Sequence, residues 1–154
     1  MTANEPSLAE DETRFLNVDV DVWSKTDLQP LVAALGRNIL VHYVGAEGAE
    51  QRAHFSLASA HDKSADAIIR RLVALIGKLP RGPRQLWNRA RARDFNLGIQ
   101  AGMTPYSHEI AFQHSTLELV ARVRGRIVVT TYAVTARTPR AARNIPRLRI
   151  PRKL

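Results

Sequence analysis

Hydrophobic and polar residues alternate along residues 14–23, which read RFLNVDVDVW. Leucine and valine occupy the even-numbered positions over 16–22, and Asn17, Asp19 and Asp21 lie between them. A period of two with one apolar side is typical of a β-strand that buries one of its faces. The pattern therefore predicts a first strand that turns all of its polar side chains toward the opposite face.

Other segments show the period of amphipathic helices. In ADAIIRRLVALIGKL, residues 65–79, apolar side chains recur every three or four positions, and Ser64 precedes them as an N-cap. Asp27 and Pro30 mark the start of an earlier helix, which Gly36 ends. The sequence thus predicts further helices over 28–35, 84–92 and 116–124.

Segments rich in β-branched and aromatic residues predict the remaining strands. These strands are expected at 38–44, 52–58, 95–101, 106–112 and 126–134. The first two flank the glycine-containing segment GAEGAEQ and form a predicted hairpin. The motif STLE at 115–118 fits a capping box, in which Ser115 and Glu118 satisfy each other's amide donors at the start of the last helix.

The expected element order is β-α-β-β-α-α-β-β-α-β. Such an order predicts an α+β fold, a two-layer sandwich with a mostly antiparallel sheet and helices on one face. The domain boundaries follow from composition: residues 1–13 form a flexible acidic N-terminus, residues 14–136 one α+β domain, and residues 137–154 a basic tail predicted to be disordered.

The chain has 154 residues, a formal net charge of +9 and no cysteine. Much of that charge lies in RTPRAARNIPRLRIPRKL, residues 137–154, and without this tail the basic and acidic residues nearly balance. The absence of cysteine excludes disulfides and thiolate chemistry. No apolar segment reaches the length of about 20 residues that spans a membrane, so we expect a cytoplasmic protein without a membrane partner.

A second basic cluster lies within the domain. Arginines surround a tryptophan in a combination that is enriched at the centres of protein interfaces. In the alternative interpretation, Trp87 fills the core and the arginines form a solvated helix face. The candidate partner-binding residues are Arg81, Arg84, Trp87, Arg89, Arg91 and Arg93.

The chemistry-bearing residues match no catalytic or metal-binding motif. The five histidines lack the helical spacing of a zinc site, and phosphate-binding and nucleophile-elbow motifs are absent. His42 and His54 lie in opposite strands of the predicted hairpin, and Asp19 and Asp21 share one side of a strand; each pair is either a site or a polar surface. The sequence alone assigns no catalytic residue, no metal and no cofactor.

A further polar group is PYSHEI, residues 105–110. Alternation along a strand places Tyr106 and His108 on one side and Ser107 and Glu109 on the other. These residues therefore do not form a triad on one face, and an enzyme that uses them is the least supported hypothesis.

The segments RDFNLGIQAG and VRGRIVVTTY carry a family resemblance, which covers mainly residues 94–133. A strand, a capped helix, a glycine and a final strand ending in tyrosine together resemble an uncharacterised bacterial family of small α+β proteins. Thr130 and Thr131 depart from that family, which tends to be acidic there. The family has no assigned reaction, so the resemblance implies a fold but no functional residue.

Two functions follow as predictions. The first is a non-catalytic protein-interaction domain, similar in size and layout to bacterial immunity proteins. Its basic arginine cluster favours an acidic protein as the partner. The alternative is nucleic-acid association, in which tail cations neutralise phosphates without sequence preference. The tail residues concerned are Arg137, Arg140, Arg143, Arg147, Arg149, Arg152 and Lys153.

Overall fold

The computed structural model describes residues 12–60 and 64–134. The N-terminal segment before residue 12 and the predicted tail at 137–154 lie outside the described residues. The described elements are β1 (Arg14–Ser24), α1 (Gln29–Leu35), β2 (Ile39–Glu47), β3 (Glu50–Leu57), α2 (Ala65–Gly77), α3 (Arg81–Arg89), β4 (Ala92–Gln100), α4 (His114–Arg122) and β5 (Arg126–Tyr132). A short 3-10 turn, Gly36–Asn38, follows α1.

The five strands form one sheet in the order β2-β3-β1-β4-β5. β1 lies at its centre and pairs antiparallel with β3 and β4, and β2 pairs antiparallel with β3. β4 and β5 run parallel, so the sheet is mixed and the expectation of a mostly antiparallel sheet is wrong. The α+β class is confirmed.

The parallel pair has a topological cause. The strand predicted at 106–112 does not form, and the chain passes from β4 through an irregular segment and α4 before it reaches β5. A connection of this length carries the chain back to the same end of the sheet, which is what parallel pairing requires. The predicted order therefore contains one strand too many.

The predicted alternation of β1 is confirmed from Val18 to Val22, but Leu16 is 45% exposed and Phe15 packs against the core instead, where the pairing with β4 shifts register. On β1 the side chains of Val18, Val20 and Val22 are fully buried, and they join Phe55 of β3 and Phe95 of β4 in the core. The helices contribute their apolar stripes to the same cluster. In α2 the predicted stripe is confirmed, since Ile68, Ile69, Leu72, Val73 and Ile76 are all buried and Leu79 follows just beyond the helix.

Trp87 anchors α3 in this core. Its side chain has no exposed surface, and its indole Nε1–H donates a hydrogen bond to the Val123 carbonyl, 2.8 Å away. Gly125 lets the chain pass close by, because a Cβ at that position would overlap the Phe95 ring. The alternative interpretation, in which Trp87 fills the core, is thus the one the fold adopts.

The helix ends confirm one predicted cap and contradict another. The Ser64 hydroxyl accepts a hydrogen bond from the Ala67 amide and caps α2 as expected. The predicted capping box at the start of α4 is wrong, because the helix begins at His114 and the Ser115 hydroxyl accepts a hydrogen bond from Arg70 instead. None of the described helices is long and apolar enough to cross a membrane.

Candidate metal centre on the polar face of the sheet

The strand register brings polar side chains together on the face opposite the core. Asp19 of β1 lies beside Ser56 of β3, and Asp21 lies beside His54 of the same strand. These positions alternate with the buried valines and Phe55, so their side chains all share one side. We call this side the polar face, and its centre is the pairing of β1 with β3.

A β-bulge adds a second histidine. The pairing of β2 with β3 shifts register between Val41 and Tyr43, which leaves His42 as the extra residue. Bulges commonly redirect a side chain, and here the His42 Nε2 lies 2.9 Å from the Ser56 hydroxyl. The His42 and His54 rings stand side by side with their centroids 5.1 Å apart.

The two imidazoles converge on one carboxylate. His42 Nε2 is 3.9 Å from Asp19 Oδ1, and His54 Nε2 is 4.0 Å from Asp19 Oδ2. One ligand atom from each of the three residues lies within 4.8 Å of the others. Their side chains are 36%, 23% and 34% exposed for His42, His54 and Asp19, so the cluster remains accessible from solvent.

A second carboxylate fixes His54 from behind. Asp21 Oδ1 lies 3.1 Å from His54 Nδ1, and it accepts a hydrogen bond of 2.7 Å from Arg52 Nε, with Arg52 Nη2 also 2.7 Å away in an ion pair. Asp21 is nearly buried. Because the Asp21 carboxylate accepts the proton on Nδ1, the Nε2 lone pair of His54 is directed toward Asp19.

Carboxylates outnumber guanidinium groups in and around the cluster. Burial raises the pKa of the Asp19 carboxyl above its ordinary value; the nearby histidines act in the opposite direction and Asp21 adds to the rise. The carboxylates of Asp19 and Asp21 face a single guanidinium, that of Arg52, which Glu47 also shares at 3.0 Å. A partly desolvated site in which carboxylates predominate favours a bound cation.

A serine relay is the other chemistry that these residue types suggest. In such a relay the histidine contacts the serine through one ring nitrogen and the orienting carboxylate through the other. Here Ser56 and Asp19 both approach the Nε2 atom of His42. Ser56 is also almost fully buried, so the arrangement is unlike a nucleophilic site.

The arginine cluster predicted to bind a partner is divided between several roles. Arg84 donates to the Ile76 carbonyl at the end of α2, and Arg93 donates to carbonyls at the end of α3. Arg91 forms a two-pronged pair with Glu50. Arg81 and Arg89 are exposed, and with Trp87 in the core the predicted six residues do not form one surface.

The remaining sequence candidates lie elsewhere. Tyr106, Ser107, His108 and Glu109 are all exposed and do not belong to the histidine–aspartate cluster. The seven cationic tail residues lie outside the described part of the chain. The sequence did indicate each half of the cluster, Asp19 with Asp21 and His42 with His54, but not their meeting.

Comparison with known proteins gives no relative. The chain matches no family model, no curated protein and no solved structure.

Proposed function

We propose that this protein binds a divalent transition-metal ion through Asp19, His42 and His54. The observation that carries the proposal is the convergence of two Nε2 atoms on one carboxylate, 3.9 and 4.0 Å away. Imidazole with carboxylate is a ligand set that suits zinc and its first-row neighbours. The function is a binding function, and no reaction is needed to explain the site.

The distances support coordination after a small contraction. Ligands bound to zinc at about 2.0–2.1 Å in a tetrahedral site are separated by roughly 3.4 Å. The two histidine–aspartate distances of 3.9 and 4.0 Å exceed that separation by about half an ångström, and all three ligand atoms lie within 4.8 Å of one another, so coordination requires side-chain shifts of less than about 1 Å. Such movements lie within rotamer adjustment for side chains that are a quarter to a third exposed.

The residues behind the ligands also fit. Metal-binding histidines almost always donate their second ring N–H to a carboxylate or a carbonyl, which fixes the ring and increases its basicity. Asp21 is placed to accept that bond from His54, and Arg52 in turn holds Asp21. His42 would exchange its hydrogen bond with Ser56 for the metal, which leaves that hydroxyl beside the site.

Three protein ligands leave a coordination position open. We infer a two-layer arrangement in which the helices cover only the apolar face of the sheet, so that this position faces solvent. Water or a donor group from a bound partner can then complete the coordination. A metal held in this way is compatible with the protein-interaction function predicted from the sequence, which stays a prediction.

Titration of the full, untagged chain with Co²⁺ and Zn²⁺ after chelator treatment tests the proposal. We expect one ion per chain, visible Co²⁺ absorption that Zn²⁺ displaces, and stabilisation of about 2.7 kcal/mol when free metal exceeds Kd about a hundredfold. His54→Gln and His42→Gln should each weaken binding by at least about 100-fold, since even outer-shell partners cost 10–100-fold.

His108→Gln is the matched control, because His108 is exposed and lies outside the cluster. It removes one histidine and should leave the affinity unchanged. Thermal unfolding in chelator verifies that each variant is folded, and the more exposed His42 provides a variant that tolerates substitution if His54→Gln does not. Equal loss of affinity in all three variants, or no loss in His42→Gln, would exclude this site.

A further inference from the structure

Four arginines meet on the β4–β5 side of the sheet, across the central strand β1 from the histidines of β2 and β3. Arg91 and Arg93 lie at the start of β4, and Arg124 and Arg126 lie at the start of β5, which is the parallel neighbour of β4. Together with Ala92 and Asp94 they line a groove of about 220 Å³. We call this feature the arginine groove.

Two of these cations are already compensated. Arg126 forms a two-pronged pair with Asp94 at 2.7 and 2.8 Å, and Arg91 forms a similar pair with Glu50 at 2.7 and 2.9 Å. Asp94 is the only acidic residue that lines the groove. The groove therefore has two arginines, Arg93 and Arg124, that form no ion pair among the described residues, although the charge of Asp94 acts on Arg93 from nearby.

Arg93 holds the groove in shape. Its Nη1 donates to the carbonyls of Trp87, Asn88 and Ala90 at the end of α3, and its Nε donates to the Arg124 carbonyl at 2.9 Å. Burial, and then the nearby charge of Arg124, lower the pKa of the Arg93 guanidinium. A fixed, half-buried positive charge thus forms one wall, and Arg124 lies next to it.

Arg124 has an unusual backbone. Its φ is +57°, and it is the only non-glycine residue of segments 12–60 and 64–134 with a positive φ. The Arg124 amide donates to the Ala121 carbonyl and the Gly125 amide to the Val120 carbonyl, the pattern of a Schellman ending after α4. Glycine is the usual residue at this position, since other L-residues cost about 1–2 kcal/mol there.

Within the described fold, no polar interaction of the Arg124 side chain offsets that backbone cost. Among the described residues, the Arg124 guanidinium takes part in no ion pair and no hydrogen bond. Strained residues of this kind cluster at binding sites, where the surrounding structure holds them in place. An exposed guanidinium held beside a second one without an ion pair is complementary to a doubly charged oxyanion.

We propose that the arginine groove binds a phosphate group, with Arg124 as its principal ligand and Arg93 as the fixed charge behind it. The proposal is independent of the metal site. Free phosphate compounds and the backbone of a nucleic acid share this chemistry. A second groove adjoins the first through Arg91, and its charged lining residues are Lys25, Arg89, Arg91 and the Glu50 that pairs with Arg91.

The experiment compares Arg124→Gly with Arg122→Ala in the full chain. Both variants lose one positive charge near the end of α4, but Arg122 lies outside the groove and pairs with Glu118 only at 3.9 Å. Binding of pyrophosphate by calorimetry and of a single-stranded oligonucleotide by fluorescence anisotropy gives the two arms. We expect Arg124→Gly to weaken at least one ligand about tenfold or more and Arg122→Ala to leave both nearly unchanged.

Stability distinguishes loss of the site from loss of the fold. Glycine suits the backbone at position 124, so Arg124→Gly should melt at or above the wild-type temperature. Pyrophosphate binding that Arg124→Gly abolishes identifies free phosphate compounds as the source. Loss confined to the oligonucleotide, with a salt slope smaller by about 0.7, identifies a nucleic-acid backbone.

The cationic tail needs its own control. The triple variant Arg147→Ala, Arg149→Ala and Arg152→Ala removes tail charge and leaves the groove intact. Binding that falls in this variant but not in Arg124→Gly would overturn the proposal, and so would equal losses in Arg124→Gly and Arg122→Ala. Retention of metal binding in Arg124→Gly keeps the result separate from the histidine–aspartate site.

Discussion

The two faces of the sheet come from the same strands but follow different rules. On β1, Val18, Val20 and Val22 enter the core, and Asp19 and Asp21 lie between them on the polar face. An apolar side chain needs only to be buried, and many neighbours serve it equally well. A polar side chain depends on which groups lie across from it, so its chemistry is decided by strand register and bulges.

The sharpest contrast between the faces is expected at two consecutive residues of β4. Phe95 is fully buried, whereas Asn96 lies on the polar face and accepts a hydrogen bond from the Thr130 hydroxyl at 2.8 Å. Phe95→Ala should lower the free energy of unfolding by about 3–5 kcal/mol, and Asn96→Ala by less than about 1 kcal/mol. Denaturant midpoints measure both, and similar losses would contradict the division of the sheet into two faces.

The core was accessible from sequence because it depends on periodicity. The stripe of α2 and the alternation of β1 from Val18 to Val22 identify their buried positions directly. Hydrophobic burial is insensitive to the exact partner. These elements could therefore be predicted without knowledge of the topology.

The errors arose where distant segments compete. Ser115 fits a capping box locally, yet Arg70 of α2 takes its hydroxyl and Asp66 accepts the Gln113 amide at 2.9 Å. The alternation in 106–112 resembles a strand, but the edge of β4 is already occupied by β5. Tertiary partners decided both cases, and local patterns contain no information about them.

The candidate metal site could be predicted from the sequence only in part. Sequence placed Asp19 and Asp21 on one side of β1 and His42 and His54 in adjoining strands. Their meeting depends on β1 pairing with β3 and on the bulge between Val41 and Tyr43, at which His42 approaches Ser56 and Asp19. A bulge adds a single residue to one strand, and nothing in the composition of the β2 segment indicated it.

Two aspartate–arginine pairs sharpen the comparison within the polar face itself. Asp21 and Asp94 are direct neighbours across β1 and β4, and they pair with Arg52 and Arg126. The Arg52 side chain is 27% exposed and that of Arg126 is 68% exposed. Because a buried carboxylate left without its partner is costly, Arg52→Ala should lower the free energy of unfolding by about 1–2 kcal/mol.

Arg126→Ala should cost clearly less than Arg52→Ala, since water replaces an exposed partner. Arg52→Ala should also weaken Co²⁺ binding by about tenfold, because Asp21 loses the group that positions it behind His54. Urea denaturation in chelator and cobalt titration separate the two effects. If both variants lose equal stability, Asp21 is not held in the way described.

The smallest expected effect is a gain in stability, which Asp19→Asn should produce in the metal-free protein. Burial, as the largest cause, raises the pKa of Asp19 above 3.8, so the folded state disfavours its charge. The stability that this carboxyl contributes is complete below its unfolded pKa and is lost as the pH rises through its higher folded pKa. At pH 7 the metal-free protein therefore bears a cost that Asp19→Asn removes.

We expect Asp19→Asn to melt about 1–2 °C above the wild type at pH 7 in chelator, a small difference because the side chain is one-third exposed. The difference should shrink as the pH falls through the raised folded pKa of Asp19 and disappear below its unfolded pKa of about 3.9. With saturating Zn²⁺ the order should reverse, since only the wild type gains binding energy. A group that destabilises the empty fold and stabilises the loaded one is kept for its ligand rather than for packing. If Asp19→Asn instead melts below the wild type in chelator, Asp19 stabilises the fold through its hydrogen bond from Asn17 at 3.4 Å. That result would contradict the proposal that Asp19 serves as a metal ligand.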